Sequence, residues 1–177
     1  VFYLVHGGGV NDRGWPQWGA AGLIRENLYA NGEISPMIVV MPDGHIDSDI
    51  FVDDLCESII PFIESTYNVY TDPGNRALAG LSNGGIQTMN VILKHHEMFD
   101  WYIVLSSGWF VGTDAFEKNV AQLPLIAKGF NDHVKLLIFA QGGPEDIAYK
   151  NGAETVKAFK ESGFNCEYFE APGGHTW

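Results

Sequence analysis

Positive charge is scarce in this chain. Its 177 residues carry 10 Lys and Arg against 22 Asp and Glu, a formal net charge of −12. Polyanionic partners need the opposite balance, so neither nucleic acid nor an anionic membrane surface is expected as a partner. Long apolar runs are missing too, and none approaches the roughly 20 residues that span a bilayer. His-Glu-x-x-His does not occur, and the acidic series Asp43, Asp47, Asp49, Asp53 and Asp54 lacks the EF-hand spacing. No metal is therefore expected, and the acidic series reads as a solvated face. Neither Gly-x-Gly-x-x-Gly nor Gly-x-x-x-x-Gly-Lys-Ser/Thr is present, so no cofactor is expected. Cysteine is limited to Cys56, within an expected helix, and Cys166, within an expected late strand; both are read as free thiols. An initiator Met is absent and Val1 already begins an apolar strand, while Trp177 closes the chain two positions after a histidine. These ends lead us to expect a fragment of a longer protein.

What is present is the composition of a globular domain, 46% hydrophobic and 18% charged. Strands are expected over 2–5, 37–41, 77–79, 102–105, 134–140 and 166–169. Most are apolar throughout, as in parallel strands buried on both faces. Helices are expected over 22–30, 50–67, 85–95, 114–123 and 146–162. In the second of these, Phe51, Leu55, Ile59, Phe62 and Ile63 form a core-facing stripe. Alternation of strand and helix predicts an α/β fold, a mostly parallel sheet with helices on both faces, as one domain over 1–177. Active sites of such sheets gather at the carboxyl ends of the strands.

Gly80-Leu81-Ser82-Asn83-Gly84 lies between an expected strand and an expected helix. Gly-x-Ser-x-Gly in that setting is the nucleophile elbow of α/β-hydrolases. The serine sits on a tight turn, and flanking glycines let strand and helix pass without Cβ clashes. Its hydroxyl also faces the positive end of a helix. A serine hydroxyl is a weak nucleophile and needs a base. Of the downstream histidines, His95 and His96 end the helix leading away from the elbow, and His133 precedes a strand at the far edge. His175, in a Gly-Gly loop after the last strand, is the expected base. The acid should follow the fifth strand, where Asp146 is preferred and Glu145 is the alternative; Asp146 is also a candidate helix cap. Oxyanion donors are expected from the Asn83 N–H and from Gly8 or Gly9 of His6-Gly7-Gly8-Gly9.

Taken with Trp15-Pro16-Gln17-Trp18-Gly19, the run from Pro36 to Pro42 and Gly173-Gly174-His175-Thr176-Trp177, these motifs resemble the family called "putative esterase" (esterase D-like). The nearest branch is the feruloyl and acetyl-xylan esterases of carbohydrate esterase family 1. The resemblance covers nearly the whole chain. It implies an α/β-hydrolase fold, terminally truncated, and serine carboxylic-ester hydrolysis through an acyl-enzyme. It further implies an ester-decorated polysaccharide such as xylan as substrate, a parent protein carrying glycoside-hydrolase or carbohydrate-binding domains, and a secreted or periplasmic location. Asn83 departs from the family, where Met is usual. Aromatic side chains suit a hydroxycinnamoyl group or a sugar ring, and Trp109, Phe110 and Trp18 are the candidates for substrate contact. The same residues would serve an acyltransferase, or a hydrolase of a thioester or siderophore ester. A silent binding module on this fold would instead have a distorted triad.

Overall fold

The structure, a computed structural model, describes residues 1–177. Its elements run β1 (Phe2–Val5), α1 (Gly14–Gln17), α2 (Ala21–Ala30), β2 (Val39–Val40), α3 (Ser48–Asp54), a π-helical turn (Leu55–Ile59), α4 (Ile60–Thr66), β3 (Ala77–Leu81), α5 (Asn83–His95), β4 (Trp101–Leu105), α6 (Asp114–His133), β5 (Leu136–Gln141), α7 (Tyr149–Glu161) and β6 (Glu167–Glu170). All six strands are parallel, in the order β2-β1-β3-β4-β5-β6. No helix is long and apolar enough to cross a membrane.

Parallel strands need crossover connections, and those are right-handed almost without exception. The chain steps one way from β1 to β2 and the other way from β2 through β3 to β6. The handedness rule then puts α1 and α2 on one face and α3 to α7 on the other. Packing agrees: α3 and α5 lie together, as do α6 and α7, whereas α2 buries no residue. The order reverses between β1 and β3, and a crevice opens at the carboxyl ends of strands at such a point. The loops that follow β1 and β3 are His6-Gly7-Gly8-Gly9 and the Ser82 turn.

The core lies between the sheet and α3 to α7. Tyr3, Leu78, Met89, Ile92, Phe99, Tyr102 and Phe130 are all fully or almost fully buried in one cluster. Local sequence signals set several boundaries. Asp47 caps α3, accepting from the N–H groups of Asp49 and Ile50 at 2.9 and 3.2 Å. Thr113 caps α6 through Phe116 N–H at 3.2 Å. Cys56 and Cys166 are free, and burial pushes the Cys56 thiol up to about 12.

Three helices depart from the expected pattern. The helix expected over 50–67 is broken by the π turn just before Pro61. Proline has no N–H and crowds the carbonyl four residues back, which a widened turn relieves. The helix expected to stop at Leu123 runs through Pro124 to His133. Leu123, Ala127 and Phe130 on its buried face outweigh the lost hydrogen bond. Finally, α7 begins at Tyr149 rather than Asp146, because Asp146-Ile147-Ala148 form a separate turn.

Candidate active site

Ser82 joins β3 to α5 with φ 55° and ψ −114°, a backbone state costing of order 1–3 kcal/mol for a side-chain-bearing residue. The surroundings enforce it. A Cβ on Gly80 would lie 2.0 Å from the Gly84 carbonyl oxygen, and one on Gly84 would lie 2.6 Å from the His6 carbonyl oxygen. Only glycine permits strand, helix and oxyanion loop to come this close. The Ser82 carbonyl accepts from Gly85 and Ile86 N–H at 2.9 and 3.1 Å and from the Ser107 hydroxyl at 2.6 Å.

His175 comes to this turn from the loop after β6. Its Nε2 lies 2.8 Å from Ser82 Oγ and its Nδ1 lies 2.7 Å from Asp146 Oδ1. An ionised carboxylate only accepts, so Nδ1 carries the proton and Nε2 accepts from the serine hydroxyl. Two backbone bonds tie the acid and base loops together: Gly143 N–H donates to Gly173 O at 2.8 Å, and Ala171 N–H to Gln141 O at 2.9 Å. The base loop is pinned from its other side as well. Trp177 packs edge-on against Trp15 with centroids 5.0 Å apart, and Trp15 Nε1 donates to Val5 O at 3.0 Å. The end of β1 and the histidine loop therefore share one aromatic clasp.

Asp146 does two jobs with one oxygen. Its side chain is 0% exposed, and Oδ1 takes both His175 and the Ala148 N–H, the latter at 2.7 Å. Burial alone would raise this carboxyl. The bonds from Ala148, Ser106 and His175 outweigh burial and hold it below the ordinary carboxylate range. Capping and pairing with histidine, opposed as alternatives in the sequence, coexist here. Glu145 is exposed and its side chain makes no hydrogen bond.

His6 is buried beneath the glycine loop. Its Nδ1–H donates to Gly7 O at 2.7 Å, and its Nε2 accepts from Gly44 N–H at 3.0 Å. The Asp43 carboxylate also approaches Nε2, at 3.2 Å, but Gly44 already occupies that lone pair in this tautomer. Gln87 Nε2 donates to Gly44 O at 2.8 Å, so Gly44 is held through both its N–H and its carbonyl. The Gly7–Gly8 peptide is planar and trans. With its carbonyl turned to His6, its N–H points the opposite way. A Cβ on Gly8 would sit 3.9 Å from Asn83 Cβ, so Gly8 lies against the elbow; nothing lies within 4 Å of one on Gly9, where φ is +78°. The Asn83 N–H, first in α5, has no acceptor within the helix.

Two clefts flank Ser82. One is lined by Ile86, Phe110, Ile147, Asn151 and His175, the other by Gly7, Gly8, His45, Asp47 and Asn83. Of the aromatic candidates, Phe110 lines the first cleft and is 63% exposed. Trp109 is buried, stacked on Phe159 at 5.5 Å with Nε1 bonded to Asn90, and Trp18 lines neither cleft. Sequence reasoning missed Ser106, Ser107, Gln141 and Asn151. The signal available was the Ser-Ser-Gly triplet at a strand end, where Ser106 also adopts φ 40°.

Parallel sheet, strained elbow and hydrogen-bonded serine, histidine and aspartate together define an α/β-hydrolase. The sequence profile of the family described as "Putative esterase" matches residues 1–177, and the chain belongs to that family. It is 32% identical over 184 residues to "Endo-1,4-beta-xylanase/feruloyl esterase" of Xylanibacter ruminicola, an alignment covering 98% of this chain and 23% of that protein. It is 26% identical over 201 residues to "Endo-1,4-beta-xylanase Y" of Acetivibrio thermocellus, covering 100% of this chain and 19% of that protein. The chain thus spans about a quarter or less of these relatives, as one module within larger proteins. Among solved structures, a "ferulic acid esterase" superposes with TM-score 0.83 at 23% identity, covering 99% of this chain and 78% of the other, a likeness of fold.

Proposed function

We propose that this domain is a serine carboxylic-ester hydrolase that removes hydroxycinnamoyl groups, feruloyl above all, from plant polysaccharide. The observation that carries this reading is the unbroken relay from Ser82 Oγ through His175 to the buried Asp146, with bonds of 2.8 and 2.7 Å. Ser82 Oγ attacks the ester carbonyl carbon as His175 Nε2 takes its proton. The carbonyl oxygen becomes an oxyanion, held by the N–H groups of Asn83 and Gly8 at the positive end of α5. Collapse breaks the bond to the alcohol, which leaves with the proton from His175. Water then attacks the acyl-enzyme by the same route and frees the acid and Ser82. Asp146, rather than Glu145, keeps the imidazole in the required tautomer and stabilises its cation.

Substrate class rests on two supports. A relative's name joins xylanase and feruloyl esterase. The cleft beside Ser82 is walled by Ile86, Phe110 and Ile147, which suit an aromatic acyl group. The parent protein accordingly joins this domain to glycoside-hydrolase or carbohydrate-binding domains. A silent binding module would be expected to have lost the relay, and the intact bonds favour catalysis. The test is hydrolysis of methyl ferulate, acetylated xylan and p-nitrophenyl acetate by the protein and by Ser82→Ala. Ferulate release that vanishes in the variant, with a feruloyl adduct on Ser82 trapped by mass spectrometry, supports the reading. Turnover by Ser82→Ala at the parental rate removes the mechanism. Release of acetate without ferulate moves the substrate to acetyl esters.

A further inference from the structure

Two donors must meet a developing oxyanion together, and here they arise on separate parts of the chain. The Asn83 N–H opens α5, whereas the Gly8 N–H belongs to the loop after β1. A run such as Gly7-Gly8-Gly9 has wide torsional freedom, so something must hold the Gly7–Gly8 peptide in one orientation. Three hydrogen bonds lead to it from α5. Gln87, one helical turn beyond Asn83, is fully buried, and its Nε2 donates to Gly44 O at 2.8 Å. Gly44 N–H donates to His6 Nε2 at 3.0 Å, and His6 Nδ1–H donates to Gly7 O at 2.7 Å. Each direction is fixed. A flipped Gln87 amide would set oxygen against the Gly44 carbonyl, and a neutral His6 that accepts from Gly44 carries its proton on Nδ1. Gly44 itself is confined, since a Cβ there would lie 2.8 Å from Gln87 Oε1 and 3.0 Å from Val5 Cγ1.

Packing alone does not account for the glutamine, because its Oε1 is buried without a hydrogen-bond partner, a costly arrangement. We infer that Gln87 is a positioning residue for the reaction: through Gly44 and His6 it ties the Gly8 donor to the helix that supplies the Asn83 donor. The inference rests on the esterase reading above. Without this tie His6 has another partner. The Asp43 carboxylate lies 3.2 Å from Nε2, and a released ring would donate Nε2–H there. Nδ1 would then present a lone pair to the Gly7 carbonyl, repel it, and turn the Gly8 N–H out of place.

The test measures kcat and KM for methyl ferulate and p-nitrophenyl acetate in the parent and in Gln87→Met, which nearly keeps the volume but cannot donate. Inhibition by an aryl trifluoromethyl ketone is measured alongside. Ser82 Oγ adds to the ketone carbon, His175 takes the serine proton, and the ketone oxygen becomes an oxyanion in the same site. In Gln87→Met kcat should fall roughly ten- to hundredfold with KM within about twofold, at most the lower part of the 10²–10³ lost with an oxyanion donor outright. Affinity for the ketone should fall by the same factor as kcat/KM, while thermal melts confirm folding. Nitrogen-15 spectra of the parent should show the His6 ring protonated on Nδ1, a check that needs no variant. Parental kcat and ketone affinity in folded Gln87→Met, a loss confined to KM, or a parental His6 protonated on Nε2 overturns the inference and leaves the esterase reading standing. A parent inert toward both esters removes both.

Discussion

Replacing Asp146 by Asn tests the relay most directly, because the consequences follow atom by atom. Oδ1 of Asp146 accepts from both His175 Nδ1 and Ala148 N–H, while Gln141 Nε2 faces Oδ2 at 3.4 Å. An asparagine has two ways to sit there. With its oxygen in the Oδ1 position, both bonds survive, but the amide nitrogen confronts the Gln141 donor and the charge that stabilises an imidazolium is gone. With its nitrogen in that position, His175 must present an Nδ1 lone pair. Its proton then moves to Nε2 and faces Ser82, where no base remains. Either way turnover should drop by about 10⁴, the order seen when a triad aspartate becomes asparagine. At 1.36 kcal/mol per decade this is about 5 kcal/mol of lost transition-state stabilisation. Glu145→Gln, altering an exposed side chain without partners, should stay within about twofold. The assay is kcat on methyl ferulate, with thermal melts confirming that both variants fold. A folded Asp146→Asn retaining more than a tenth of parental kcat, or a larger loss in Glu145→Gln, would refute the reasoning.

Other perturbations bear on the supports of the site. Trp177→Ala removes the ring that locks the histidine loop against Trp15, so kcat should fall up to about 10²-fold with KM little changed, as expected when a base drifts by about 1 Å; Trp177→Phe should recover much of it, and an unaltered kcat would dismiss the clasp. The Asp146 carboxyl is held below its unfolded value of about 3.9, so the stability it contributes is complete above that pH and is lost as pH falls through the lower folded value. Melting temperatures of the protein should therefore drop steeply below about pH 4, and those of Asp146→Asn less so; parallel curves for the two would contradict this linkage.

Much of the fold was legible because buried parallel strands leave an unmistakable trace. Tyr-Ile-Val-Leu before Ser106 and Leu-Ile-Phe-Ala before Gln141 have no polar alternation, and both are interior strands of the sheet. The Ser82 turn was legible because glycines at 80 and 84 answer a steric demand with no other solution. His175 and Asp146 could be chosen from their places after the last two strands. Other features lay beyond sequence patterns. Pro124 reads as a helix end, yet tertiary packing of Leu123 and Phe130 carries α6 through it. The run expected as a five-residue strand over 37–41 pairs only at Val39 and Val40, since pairing depends on what lies alongside. Asn151 has no local signature at all. Its place in the cleft wall is set by the Val111 N–H that holds its Oδ1, a fact of three-dimensional pairing.

The shared oxygen of Asp146 constrains how this domain can drift. A lineage that replaces Ser82 by glycine gives up chemistry and sheds a strained torsion, so the scaffold survives as a non-catalytic descendant. A lineage that loses Asp146 also uncaps the bend leading into α7 and leaves a sealed hollow without its acceptor. Decay of activity in such proteins should therefore be written first at the alcohol and last at the acid.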